Sequence, residues 1–242
     1  MEFKKKEKKF LIVGTGRTGS SLLSAILLKS GADFGLRSKD IWDRQKGDFE
    51  HSLIHEAYKW QSRVEKIDQS ILPNYFTVSF FNNICNKKME QLLTEVDYVK
   101  SSQLVWLVHR AKYKLGFEVK VIGVYRNFSD YVISRYKKYG RSLDHWRKEW
   151  LEVNKTLFLQ AQIIPSLLLS YEEIVGRNET KWIDRLALFT NISREKLSFA
   201  ANEIVDKKSH KRIMQYNFED DDTRRVYNRL KMFSNKSSID NR

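Results

Sequence analysis

The chain has 242 residues, of which 41% are hydrophobic and 13% aromatic, a composition that supports a large buried core and excludes an intrinsically disordered protein. A single cysteine, Cys85, excludes an internal disulfide and a cysteine-rich metal site, and no stretch reaches the ~18 apolar residues of a membrane span. The formal charge of +14 admits two anionic partner classes, nucleic acid and small polyanionic molecules, beside a lysine surface that merely solubilises.

In chain order, the apolar run Phe10–Val13 predicts a first strand and Ser20–Lys29 a helix. The run before Gly14 is too short for a signal peptide, so the sequence predicts a soluble, cytoplasmic protein. A polar, loop-rich region follows to about Asp48. Helical periodicity returns in EHSLIHEAYKWQSRVEKI and again around FNNICNKKMEQLLTEV. DYVKSS predicts a short second strand, and QLVWLVHRAKYKLG a helix ended by Gly116. The β-branched run Val119–Arg126 has the character of a buried parallel strand, and NFSDYVISRYKKYG that of a helix closed by Gly140. A long helix over LDHWRKEWLEVNKTLFLQAQ, a strand over Ser166–Tyr171 and a helix over KWIDRLALFT complete the pattern, and the chain from about Lys207 reads as charged and irregular.

Strands separated by helices predict the α/β class, a three-layer arrangement in which a parallel sheet is flanked by helices on both faces. One domain is expected over residues 1–242, with its core at about 9–190 and a charged C-terminal segment at about 207–242. Ligands on such sheets bind beyond the carboxyl ends of the strands, where both the Gly14 turn and Arg126 fall. Strand order is not readable from one sequence.

FLIVGTGRTGSSLL joins a strand, a tight loop and a helix N-terminus, an arrangement that directs backbone N–H groups and a helix dipole at an anion. Three motifs overlap on it. Gly14, Gly16 and Gly19 spell the dinucleotide fingerprint, but that motif needs a second strand and an acid ~20 residues on; Asp33 has the distance, and KSGADFGLR has no apolar run. Gly14 and Gly19 also have the spacing of the nucleoside-triphosphate loop, with Ser20 where its lysine belongs. A P-loop kinase or nucleotide-binding protein lacking that lysine stays open as an alternative. In the third reading Arg17 is the loop's cation, Thr18, Ser20 and Ser21 are hydroxyl donors, and the target is a phosphosulfate.

IVGTGRTGSSLL resembles the 5′-phosphosulfate loop of the sulfotransferases that use 3′-phosphoadenosine 5′-phosphosulfate (PAPS), written near P-[RK]-[ST]-G-[TS]-[TS]. VIGVYRNFSDYVISRYK resembles their second element, a strand ending in R-[ND]-P-x-D with a serine eight residues after the arginine, a spacing that Arg126 and Ser134 keep. Weaker similarities to the bacterial-type members, in KGDFEHSLIHE, in YVKSS around Lys100 and in LLLSYEEIV, extend the likeness over about Lys9 to Thr190. The resemblance implies a P-loop NTPase-like sulfotransferase fold, PAPS as sulfuryl donor with adenosine 3′,5′-bisphosphate (PAP) as product, and no metal. It also implies that Gly16, Arg17, Thr18, Gly19, Ser20 and Ser21 hold the phosphosulfate and that Arg126 and Ser134 bind the 3′-phosphate. Gly16 and Phe128 stand where the family has prolines, and Ser101 and Ser102 follow Lys100 in place of an acid or histidine and a proline. DKKSHKR, residues 206–212, reads either as a basic cover for the nucleotide or as a solvated charge run.

Sulfuryl transfer needs an in-line acceptor, a base for its proton and a cation for the charge building on the leaving phosphate. Arg17 suits the last role, and the resemblance implies Glu50 as the base, with His51 and His55 as alternatives; Asp48 suits a helix N-cap equally well. The acceptor, a hydroxyl or amine of a small molecule or glycan, is not readable, and neither is the oligomeric state. Two further alternatives are a degenerate fold that binds PAPS without turnover and a basic nucleic-acid-binding protein, for which no recognition-helix, zinc-finger or RNP-like motif is present. The scattered histidines and the acidic run Glu219–Asp222 predict no metal site.

Overall fold

The computed structural model describes residues 8–35, 51–68, 75–176, 180–205 and 217–236. Four strands, β1 (Lys8–Val13), β2 (Tyr98–Lys100), β3 (Glu118–Tyr125) and β4 (Ser166–Ser170), form one parallel sheet in the order β2-β1-β3-β4. Helices flank it, so the chain has the α/β class that its alternating pattern predicts. The strands are short and almost wholly buried, as strands covered on both faces are.

By contacts the chain forms two compact units, one from Met1–Leu11 and Asp33–Lys120, the other from Ile12–Ala32 and Val121–Arg242. In the first, helices α2 (Ser52–Asp68) and α3 (Tyr75–Glu95) pack on each other and bury Ile54, Ala57, Cys85 and Met89. Lys9, almost wholly buried in β1, forms an ion pair with Asp97 at 3.1 Å. The predicted helix over QLVWLVHRAKYKLG is broken here. Ser101 Oγ accepts from Gln103 N–H and starts a 3₁₀ turn at Ser102–Trp106. A π turn follows at Arg110–Lys114, closed by Leu115 N–H on the Arg110 carbonyl. The wider turn accompanies the placing of the Arg110 guanidinium on Asn82, Asn86 and Gln61, side chains remote in sequence that a local period does not report.

The second unit holds helices α1 (Ser20–Lys29), α4 (Phe128–Tyr139), α5 (Leu143–Ala161), α6 (Tyr171–Val175), α7 (Lys181–Thr190), α8 (Arg194–Ile204) and α9 (Asp221–Lys236). β3 pairs with β4 in register from Val121↔Ser166 to Tyr125↔Ser170. α1 packs on α8, and α9 packs on α5 and β4. α9 corrects the expectation of an irregular tail. Thr223, Val226, Leu230 and Ser234 recur at helical spacing and are buried, although the segment carries many charges. Buried side chains therefore continue well past residue 190.

Candidate functional site

β1 runs apolar through Val13, and at Gly14 the chain passes so close to β3 that a side chain there would lie 2.4 Å from the Val124 carbonyl oxygen. The Thr18 hydroxyl donates to the Thr15 carbonyl at 2.7 Å and pins the loop. Thr18 is thus fully buried, and its hydroxyl shapes the turn. Arg17, exposed beside it, has φ +75°, a left-handed conformation that costs a non-glycine residue on the order of 1 kcal/mol and concentrates at functional sites. Gly19 at φ +93° is the N-cap of α1, with no side-chain cap and no acid in the first turn. The first intrahelical bond is Leu23 N–H on the Gly19 carbonyl. The N–H groups of Ser20, Ser21 and Leu22 therefore lie before that bond, at the positive end of the helix dipole. Ser20 is buried and Ser21 half-buried at this end.

β3 ends at Tyr125, and Arg126 follows it directly. Its guanidinium carbon stacks 4.2 Å above the Tyr171 ring, and Nη1 donates to the Arg17 carbonyl at 3.4 Å. The backbone of this turn is clamped on two sides. Trp150 Nε1 donates to the Arg126 carbonyl at 3.1 Å. Glu172 Oε1 accepts from Asn127 N–H at 3.1 Å and from its Nδ2 at 3.0 Å. Asn127 caps α4 by accepting from Asp130 N–H, and Ser134 lies along that helix. The Arg17 Nε donates to Ser134 Oγ at 3.1 Å, which brings together side chains 117 positions apart. Arg17, Arg126 and Ser134 therefore form one cluster. Phe128, in the place of the family's proline, is buried edge-on against Trp150 with ring centroids 5.7 Å apart.

Several side chains here lay outside the sequence reading. A side chain at Gly16 would meet Arg135 Nη2 at 2.6 Å, so the missing side chain makes room for a third cation, which is paired with Glu149. A side chain at Gly19 would meet the Tyr171 ring at 2.5 Å. Burial raises the Tyr171 phenol above its ordinary value, with Arg126 pulling the other way. Tyr171 and Glu172 lie in the similar segment LLLSYEEIV, and nothing local marks their contacts.

In the other unit, His51 caps α2, its Nδ1 accepting from Leu53 N–H at 3.2 Å. In the neutral ring this places the proton on Nε2. His55 Nδ1 lies 3.1 Å from Gln103 Oε1. Glu50, Asp48 and the basic run 206–212 lie outside the described residues. Among the described residues no group of three or more histidine, cysteine, aspartate or glutamate side chains is disposed to hold a metal ion, and no helix is long and apolar enough to cross a membrane.

No protein-family model matches the chain, and no curated protein matches its sequence. Solved structures do. The sulfotransferase domain from the Synechococcus PCC 7002 olefin synthase is similar over 97% of this chain and 97% of its own, with a TM-score of 0.51 and 15% identity. The sulfotransferase domain from the curacin biosynthetic pathway covers 93% of this chain and 98% of its own, with a TM-score of 0.49 and 15% identity. At this identity the likeness is one of fold, and the first of the two carries it.

Proposed function

We propose that this chain is a PAPS-dependent sulfotransferase. The observation that carries the reading is the interlock of Arg17, Arg126 and Ser134 beside an uncapped helix N-terminus. The first of these residues comes from the loop after β1, and the other two from the turn and helix after β3. A ligand with two anionic ends matches that pairing. PAPS supplies a sulfuryl group on a phosphosulfate anhydride, and PAP is what it leaves behind.

The donor set fits such a nucleotide. The α1 terminus offers N–H groups with no acid in its first turn, and the buried Nε of Arg126 has no hydrogen-bond partner among the described residues. In this reading Gly16, Gly19, Ser20 and Ser21 hold the 5′-phosphosulfate, Thr18 keeps the loop closed, and Arg126 and Ser134 hold the 3′-phosphate. Arg17 stands at the leaving phosphate, where its charge is worth most as the sulfur–oxygen bond to that phosphate breaks. The new sulfur–oxygen bond forms to a hydroxyl or amine of a small-molecule or glycan acceptor, whose proton passes to a base. The resemblance assigns that base to Glu50, with His51 and His55 as alternatives. Ser20 in place of the triphosphate-loop lysine disfavours the kinase alternative.

Calorimetric titration with PAP tests the reading. The wild-type chain is expected to bind PAP at micromolar concentrations or tighter and Arg126→Ala at least tenfold more weakly. Equal binding by both would contradict it.

A further inference from the structure

We propose that Glu172, with Tyr171 beside it, is a positioning residue that sets Arg126 against the Gly14–Ser21 loop; this rests on the nucleotide site proposed above. Neither side chain belongs to the two motifs that frame the site, yet adjacent residues of α6 touch both. The Tyr171 ring lies 4.2 Å beneath the Arg126 guanidinium carbon. The same ring fills the space where a side chain at Gly19 would stand, 2.5 Å from that Cβ position. One flat side chain therefore spaces the cation from the opening of α1.

Glu172 fixes the other end of the same residue. Its Oε1 takes both the backbone N–H and the side-chain Nδ2 of Asn127, at 3.1 and 3.0 Å, immediately after Arg126. Its Oε2 accepts from the Tyr227 hydroxyl of α9 at 3.3 Å. Burial and the Glu172 carboxylate hold the Tyr227 phenol well above its ordinary range. Glu173, the next residue, closes a capping box with Ser170 and pairs with Arg185, which anchors the start of α6. The turn carrying Arg126 is thus held from an element that is itself tied down. Because Asn127 caps the helix bearing Ser134, the carboxylate orients both groups assigned to the 3′-phosphate. Holding donors ready before a ligand arrives removes their ordering cost from binding. Glu172 acts through Asn127 and touches no ligand.

The test is the ratio of the dissociation constants for AMP and PAP, which isolates the 3′-phosphate, measured by titration calorimetry on the full chain. Glu172→Ala is expected to lower the ratio at least tenfold while the AMP constant changes less than threefold. Glu172→Gln keeps an oxygen for Asn127 and is expected to restore the ratio to within threefold of wild type. Tyr171→Leu, which removes the ring, is expected to lower the ratio, and Tyr171→Phe to keep it. Tyr227→Phe removes the α9 bond alone and is expected to lower the melting temperature without changing the ratio, which separates positioning from general destabilisation. If Glu172→Ala does not fold, Glu172→Asp, which retracts the carboxylate by one methylene, is expected to lower the ratio in its place. A wild-type ratio in Glu172→Ala or Glu172→Asp would overturn the positioning role and leave the proposed function standing. A wild-type chain that does not distinguish PAP from AMP would overturn both.

Discussion

Arg17 and Arg126 are both cations of the candidate site, but their surroundings give them different work. Arg17 is exposed and held in a left-handed conformation on the loop, whereas Arg126 is half-buried, stacked on Tyr171 and clamped through its backbone. In the proposed reaction Arg17→Ala therefore lowers kcat by roughly 10²–10³, the scale of a lost preorganised donor, with a small change in KM for PAPS. Arg126→Ala raises that KM and leaves kcat closer to wild type. Steady-state kinetics with radiolabelled PAPS checks the split, and parallel losses in both parameters for both variants would contradict it. Gly14 makes a simpler prediction. A methyl group 2.4 Å from a backbone oxygen cannot be absorbed by a side-chain rotation, so Gly14→Ala destabilises the fold by ~1–3 kcal/mol in denaturant unfolding. At this scale the sequence was most informative where residues act through their neighbours in the chain. Gly14, Arg17 and Ser21 sit in one short motif, and Arg126 and Ser134 in another. Tyr171, Glu172 and Arg135 were illegible because their partners lie far away in sequence, as Glu172 and Asn127 do at a separation of 45 positions.

At the scale of elements, α9 depends on packing that its composition conceals. Its charged residues dominate the segment by number, while Val226 and Leu230 form the buried stripe. Leu230 is wholly buried, so Leu230→Ala costs ~2–5 kcal/mol in denaturant unfolding. The start of α9 is held by an ion pair. Asp220 accepts from the Arg147 Nε and from Thr223 N–H, and these bonds, Arg147 first, hold its carboxyl down to about 2. A carboxyl depressed in the folded state stabilises the fold above its unfolded pKa of ~3.9 and loses that contribution as pH falls toward the folded value. The pair is largely solvated, so its worth is below ~1 kcal/mol. Arg147→Ala is expected to melt slightly below wild type at pH 7, and the gap to close as pH falls from about 4 to 2. The other misread element, the segment 103–116, failed for the opposite reason. Its apolar period is helical, but Ser101 and Arg110 impose 3₁₀ and π turns through a cap and through three remote amides.

Across the whole molecule, alternation of strands and helices was enough to give the α/β class, because the apolar runs of the strands are short and the helical periods between them are long. Strand order was not legible, since it depends on which buried edges meet and no local feature encodes that. The net charge of +14 acts at the same scale. A positive field speeds and strengthens the capture of a polyanionic nucleotide and is screened by salt. PAP affinity is therefore expected to fall by about tenfold between 50 and 500 mM salt, and AMP affinity to fall less, because AMP carries fewer charges; calorimetry across the salt series checks it. The most direct test of the nucleotide site is the melting temperature of the chain with PAP, with AMP, and with ATP plus magnesium. The account predicts that PAP at 100 times its dissociation constant raises the midpoint by about 5–10 °C, that AMP raises it less, and that Arg126→Ala loses the difference. A rise with magnesium ATP alone, and none with PAP, would contradict it.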